Sequence, residues 1–503
     1  MIVGGGVAVR SRALGQALHA SHTAALLAAD PRRPQYHLLP AANWMNDPNG
    51  PVYWRGEYHM FYQYNPGAPV WGDMHWGHAA SPDMVHWRHL PIALAPTPGG
   101  PDASGCFTGS AVDDGGRVAV LYTGVVSAPE REATLRDGVH SLRESQCLAY
   151  GAEDGLITWS KVPSPVIATP PAGLDLVGFR DPAVWRDGKI WYMVVGSGIR
   201  GKGGIVLLYR SHDLHRWEYL HPLAEGSLSQ AASPAEGGKM WECPDFFPLG
   251  DKHVLIHSTG GKTYWQSGVF DTSALVFHRE RSGVLDHGSL YAAKTQLDQS
   301  QNRILWGWIT ETRSEADYRA AGWAGMMSLP RMLHLDANND LKISLAPQVE
   351  QLRGREQQLR LTGDDAADRR QLASMRIDNC CGEILCSFRR RTDPITIRLR
   401  SPEGDGQSWV TCSYDPARSD QVVIDDKVVS VGAGTSSSAE LRFLIDGSVI
   451  ECFANQHSTL TKRFYHSGSS APAIVTQVTG NMASLTALRM WQLSPISNNR
   501  LTT

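Results

Sequence analysis

Three short strings in this chain carry carboxylates in settings that could do acid–base and nucleophilic chemistry. They are Trp44-Met45-Asn46-Asp47-Pro48-Asn49-Gly50, Phe179-Arg180-Asp181-Pro182 and Trp241-Glu242-Cys243-Pro244-Asp245. Each puts an acid at the head of an aromatic, strand-like run. A lone Asp-Pro-Asn-Gly is ordinarily a turn whose Asp and Asn bond their own backbone, and a lone Arg-Asp-Pro is ordinarily a surface ion pair. Repetition changes that reading. Carboxylates crowded together repel one another and are costly when unpaired, so their proton affinities separate. Groups separated in this way can act as acid, base and nucleophile on an acid-labile bond between sugars. The sequence neighbours set an expected order: Arg180 should hold Asp181 ionised, and Glu242, flanked by Trp241 and Cys243, should favour its protonated form.

The elements that must position these acids form a tandem repeat. Asp47-Pro48-Asn49-Gly50 leads through Arg55-Gly56-Glu57 into a strand-like run at 58–63, and Asp181-Pro182 leads through 186–189 into 190–195. Pro244-Asp245 leads through Gly250-Asp251-Lys252 into 253–257, and a further copy starts at Phe107-Thr108-Gly109-Ser110. Outer halves repeat as well: Ser81-Pro82-Asp83-Met84-Val85-His86-Trp87 matches Ser211-His212-Asp213-Leu214-His215-Arg216-Trp217, with 153–159 a looser version. A repeated pair of hairpins is a propeller blade, and stacking blades around an axis closes the sheet edges. Markers at Asp47, Thr108, Asp181 and Glu242, with a fifth unit running from Ile304 to Pro330, predict an all-β, five-bladed propeller. Its inner strands should bring the acids together in one funnel.

The chain has 503 residues, too many for one core. The expected division is an N-terminal extension at 1–33, poorly ordered, a propeller at 34–345, a linker at 346–358 and a β-sandwich at 359–503, where Trp thins out and turns become Asp-Gly or Ser/Gly-rich. The 47 Lys and Arg against 50 Asp and Glu leave a net charge of -3, which gives no field for nucleic acid. No apolar run approaches the ~18 residues of a membrane span, and no convincing signal peptide is visible, so the expectation is a protein that is not exported. The eight Cys show no metal or disulfide spacing and read as small buried residues. His75, His78, His86 and His89 lack carboxylate partners at metal-ligand spacing, and the Gly-rich loop at 198–204 lacks the Ser or Thr that follows Lys in a phosphate loop. No cofactor and no metal are expected.

With these residues in place, the chain resembles glycoside hydrolase family 32, the family of invertases, other β-fructofuranosidases and fructan hydrolases. The three strings are similar to that family's signature motifs. So are Tyr62-Gln63-Tyr64-Asn65-Pro66, Trp71-Gly72-Asp73, Leu305-Trp306-Gly307-Trp308 and Gly322-Trp323-Ala324-Gly325, and, in the second module, Ile445-Asp446-Gly447-Ser448-Val449-Ile450-Glu451-Cys452-Phe453. The resemblance implies a five-bladed propeller followed by a sandwich, and retaining hydrolysis of small or oligomeric fructosides. It assigns Asp47 as nucleophile, Glu242 as acid/base and Asp181 as transition-state stabiliser. It places Asn46, Gln63, Trp71, Phe107, Thr108, Arg180 and Trp308 around the fructose. Retention requires the Asp47 and Glu242 carboxyls to lie ~5 Å apart. Thr108 stands where Ser is more usual, and Gly447 where a larger residue is common. Fructosyl transfer and fructan exohydrolysis are alternative uses of the same scaffold. A catalytically silent carbohydrate-binding protein is the non-enzyme alternative, against which the presence of all three acids speaks.

Overall fold

The computed structural model describes residues 23–136, 141–402, 408–432 and 436–502. The β-rich pattern resolves into mostly antiparallel strands, and those before residue 346 pair into five sheets. The innermost strands of the sheets are Asn43–Trp54, Gly105–Asp113, Leu176–Asp187, Glu242–Leu249 and Leu290–Leu297. Each touches the next around a closed ring, the fifth meeting the first. The result is the propeller the repeats predict, with all inner strands lining one channel.

Two features of the sequence build this ring. One is a turn shared by four sheets, in which an Asp accepts backbone N–H groups and a following apolar residue takes the left-handed conformation. Asp83 receives Val85 and His86, and Asp213 receives His215 and Arg216, at 2.8–3.0 Å. Asp154 and Asp271 do the same for 157–158 and 273–274. Met84, Leu156, Leu214 and Leu275 all have φ between 58° and 67°. Burial of Met84, Leu156 and Leu214 between sheets offsets a strain of ~1–2 kcal/mol each. The other feature is the seam between last and first sheets. Trp323–Ala324 pairs in parallel with Asn43 and Trp44, while Met326–Met327 pairs with Trp308 and Ile309 of the fifth sheet. Gly325 between them has φ 76°, and a Cβ there would fall 1.8 Å from the Met45 carbonyl oxygen. Only glycine fits this close approach.

The fifth unit begins earlier than the sequence pattern implies. Ile304–Ile309 belongs to the second strand of the last sheet, and its inner strand is Leu290–Leu297. The marker positions are also offset. All five inner strands carry a two-residue bulge, at Asn46/Asp47, Phe107/Thr108, Asp181/Pro182, Cys243/Pro244 and Ala292/Ala293. Asp47 is therefore equivalent to Thr108 and Pro182, Asp181 is equivalent to Cys243, and Glu242 stands one residue before its bulge. The acids converge through neighbouring positions of the repeat and not through one position.

Beyond residue 346 a six-stranded and a five-stranded sheet enclose an apolar core that includes Ile384, Phe388, Leu399, Phe443 and Val478. These form the sandwich. Arg353–Gln358, inside the expected linker, is its edge strand, paired with Leu485–Leu493. Its Arg353 is bidentate to buried Glu383, which a free linker would not require. Residues 1–22 of the expected extension lie outside the described residues, but 23–33 are packed. Leu27 is buried against Trp323, whose indole N–H donates to Asp30, and Arg33 is fully buried with its guanidinium on Pro40 and Ala41 carbonyls. This segment also accounts for Gly447. A Cβ at that turn would lie 2.9 Å from the Arg32 carbonyl oxygen, so the incoming chain fills the space of a larger side chain.

The two domains meet through buried charge. Asp446 accepts the N–H groups of Gln35, Tyr36 and His37 and the His37 imidazole at 2.6–3.0 Å. Glu451 accepts Leu329 N–H at 2.7 Å, His37 Nε2 at 3.0 Å and Arg331 at 2.5 Å, and Arg331 also reaches Asp286 at 2.9 Å. The second-module motif thus grips the propeller from both ends of its hairpin.

Candidate active site

The bulges explain how a strand presents chemistry to the channel. A bulge leaves two residues out of the ladder and turns their side chains away from the regular alternation. At three of them the first residue has a positive φ without being glycine: Asp181 at 67°, Cys243 at 48° and Ala292 at 55°. Such strain of ~1–3 kcal/mol persists where the surroundings over-determine it, as at functional sites.

At the channel mouth the bulges open into a pocket of about 330 Å³. Asp47, Asp181 and Glu242 line it together. So do all seven residues expected around the substrate: Asn46 from the first bulge, Gln63 opposite it, Phe107 and Thr108 from the second, Arg180 before the third, and Trp71 and Trp308. Trp71 is 40% exposed and meets Phe107 edge-on, with ring centroids 5.8 Å apart. Trp308 meets Trp44 in the same way at 5.9 Å. The pocket therefore has an aromatic rim and an acidic floor, the combination that suits a sugar's apolar faces and hydroxyl edges.

Each acid has its own hydrogen-bond environment. Asp47 accepts from Thr108 Oγ1 at 2.7 Å, Asn46 Nδ2 at 3.0 Å and the Cys243 thiol at 3.3 Å. Asp181 accepts the Cys243 N–H at 2.8 Å, and its own N–H donates to Thr123 at 2.9 Å. Glu242 receives Arg180 Nη2 at 2.6 Å and the Tyr291 hydroxyl at 2.5 Å. Thr108, the departure from the usual Ser, still supplies the hydroxyl that Asp47 uses.

The electrostatic order reverses the expectation from sequence neighbours. Burial raises Asp47, against hydrogen bonds from Thr108, Asn46 and Cys243, and the nearby Glu242 charge adds to the rise. Burial also lifts Asp181 to about 6, with Asp47 and Glu242 contributing and Arg180 only partly opposing. Burial acts to raise Glu242 too, but the Arg180 charge and hydrogen bond and the Tyr291 hydroxyl outweigh it and hold the carboxyl below its usual range. Adjacency misleads because the Arg180 side chain reaches across to the next sheet. It lies 4.0 Å from Asp181 and 2.6 Å from Glu242, with its other arm 2.9 Å from fully buried Glu144. The two aspartates are thus pushed towards higher proton affinity and Glu242 towards lower.

Tyr291 and Glu144 are hydrogen-bond partners of Glu242 and Arg180 that the sequence reading misses. Tyr291 stands before the fifth bulge, in the place that Glu242 and Arg180 occupy in their strands. Starting the fifth unit one strand earlier would have revealed it. Glu144 lies in Ser141–Gly151, the third strand out from the channel, and carries no motif; it receives Phe179 N–H and Thr134 Oγ1 as well as Arg180. Cys243, read as a neighbour that tunes the acid/base, instead bonds the two aspartates. Burial pushes its thiol well above the ordinary value, so it remains a donor. All eight cysteines are free and buried.

Carboxyls of unequal proton affinity, gathered under an aromatic rim at the mouth of a propeller, define a glycoside hydrolase. Comparison with known proteins agrees. Residues 37–347 match the glycosyl hydrolases family 32 N-terminal domain, and 348–492 match the family's C-terminal domain. The chain is 40% identical over 342 residues to a sucrose-6-phosphate hydrolase of Escherichia coli, a stretch covering 65% of this chain and 67% of that protein. It is 33% identical over 491 residues to a raffinose invertase of Escherichia coli, covering 92% of this chain and 95% of the relative. Among solved structures, a β-fructofuranosidase of Bombyx mori superposes with a TM-score of 0.77 at 27% identity, over 97% of this chain and 99% of that one. This chain belongs to glycosyl hydrolases family 32.

Proposed function

We propose that the protein hydrolyses terminal β-D-fructofuranosides, sucrose and its relatives, with retention through a covalent fructosyl-enzyme intermediate. The observation that carries the reading is the gathering of Asp47, Asp181 and Glu242 in one pocket with Arg180 and the aromatic rim. Asp47 attacks the anomeric carbon as Glu242 protonates the departing oxygen. Glu242, now a base, then activates the water that releases fructose. Asp181 opposes the positive charge of the oxocarbenium-like transition state.

The proton must be on Glu242 when the bond breaks, whereas Arg180 and Tyr291 favour the charged form of Glu242. Fructosyl hydroxyls that donate to Asp47 and Asp181 favour the charged forms of both. Displacing water from around Glu242 disfavours its charged form. Substrate binding thus moves the site's proton to the acid that needs it, as one coupled titration.

Chromatography of products from sucrose, sucrose 6-phosphate, raffinose and inulin tests this function. Wild-type protein releases fructose from at least one. Asp47→Asn, which removes the nucleophile at constant volume, lowers that rate by at least about 10³-fold with the fold intact. Near-normal fructose release by the variant sinks the assignment.

A further inference from the structure

The fifth inner strand brings a second cation to the channel, on the far side of the bulges from the catalytic pocket. Lys294 follows the Ala292/Ala293 bulge and is 2% exposed. It lines a separate cavity of about 320 Å³, whose walls are the segments just past the bulges of all five inner strands. Its ammonium donates to the Pro244 carbonyl at 2.8 Å. Among the described residues it makes no ion pair within 4.0 Å, so its charge is balanced through space.

What it holds and what it faces indicate its use. Pro244 is the second residue of the Cys243/Pro244 bulge, outside the ladder that would otherwise occupy its carbonyl. Lys294 supplies the missing donor. The bulge it secures is the one that aims Glu242 into the pocket and presents the Cys243 N–H to Asp181 and the Cys243 thiol to Asp47. The ammonium also acts electrostatically on Asp181, Cys243 and Asp245. Asp181 faces Arg180 on its own strand, Asp47 from the first sheet, Glu242 and Cys243 from the fourth, and Lys294 from the fifth. Arg180 is occupied by Glu144 and Glu242. Asp245, beside Lys294, is held by Thr295 N–H and Oγ1 at 2.7 Å and also feels Arg303.

We propose that Lys294 is a positioning residue of the hydrolase: through the Pro244 carbonyl it fixes the bulge that carries Glu242 and Cys243 and so sets the donors that Cys243 turns towards Asp181 and Asp47. This rests on the roles given above to Asp181 and Glu242. Lys294 does not line the catalytic pocket and acts without touching the substrate, which distinguishes it from the pocket residues.

The test is a pH profile of kcat/KM on the cleaved fructoside, for wild type, Lys294→Met and Lys294→Arg. Met removes the charge at nearly constant volume and Arg keeps it. In Lys294→Met, kcat falls about 10- to 100-fold, KM stays within about threefold, and the acid limb moves up, because the bulge that presents the Cys243 N–H to Asp181 loosens and Asp181 also loses a cation that favours its ionised form. Lys294→Arg returns the limb towards wild type. A purely structural role would lower activity without moving the limb. If Lys294→Met does not fold, the charge-balanced K294M/D245N variant replaces it with the same expected displacement. An active wild type with an unmoved limb in the Met variant overturns the role of Lys294 alone. A wild type that releases no fructose overturns the functional reading itself.

Discussion

Replacing Tyr291 by Phe isolates one force on Glu242, the proposed catalytic acid. The Tyr291 hydroxyl donates to Glu242 Oε2 at 2.5 Å, and Arg180 donates to the other oxygen at 2.6 Å. The Phe ring keeps the edge-on packing against Trp308, at 6.5 Å between centroids, and deletes only the donor. A hydrogen bond to a charged group contributes about 1.5–3 kcal/mol. The Glu242 side chain is 30% exposed, so water replaces part of the loss and the lower end applies. About 1.4 kcal/mol corresponds to one pK unit. The sign follows from which form the bond favours. Tyr291 stabilises the carboxylate, so its removal raises the Glu242 pKa and keeps the acid protonated to higher pH. The basic limb of kcat/KM, measured as fructose release across pH, should therefore move up by about one unit in Tyr291→Phe. A limb that stays in place or moves down refutes the assignment of Glu242 as the acid held low by Tyr291 and Arg180.

Three further outcomes follow from the same structure. Glu242→Gln should lose much less activity on an activated aryl fructoside than on sucrose, since a good leaving group needs little protonation; equal losses would argue against its acid role. His37, raised to about 9 by Asp446 and Glu451 against full burial, stabilises the folded chain by about 3 kcal/mol below its unfolded pKa of ~6.5. That contribution fades as pH rises through about 9, so wild type should lose denaturant resistance on the alkaline side, and an equal alkaline slope in His37→Gln would contradict this. Gly325→Ala should cost several kcal/mol, on the order of 2–4, because its Cβ would lie 1.8 Å from the Met45 carbonyl in a backbone region costly for other residues. An unchanged unfolding midpoint would show that the seam can relax.

How much was legible in the sequence depended on how local the determinant was. Asp47, Asp181 and Glu242 stood out because the bulged inner strands begin with compact Pro-containing strings, and the Asp-anchored turns at Asp83, Asp154 and Asp213 made the blades countable. Contacts between sheets were not legible. Arg180 is adjacent in sequence to Asp181 yet serves Glu242 and Glu144, because an extended guanidinium spans the gap between neighbouring inner strands. Tyr291 and Lys294 were missed because their strand lacks the Asp-Pro or Glu-Cys-Pro punctuation and the more conspicuous Trp306-Gly307-Trp308 run drew the fifth unit one strand too late. The packing of Arg33 against Pro40, and the fit of Arg32 over Gly447, depend on a tertiary approach that no local pattern signals.

The central claim is retention through Asp47, and the anomer of the first fructose released tests it most directly. Proton NMR during early turnover of sucrose, faster than mutarotation, should show β-D-fructofuranose appearing first. Two displacements at the same carbon, one by Asp47 and one by water, restore the original configuration. First appearance of the α-anomer would mean a single displacement, with Asp47 acting as a base on water, and would contradict the account.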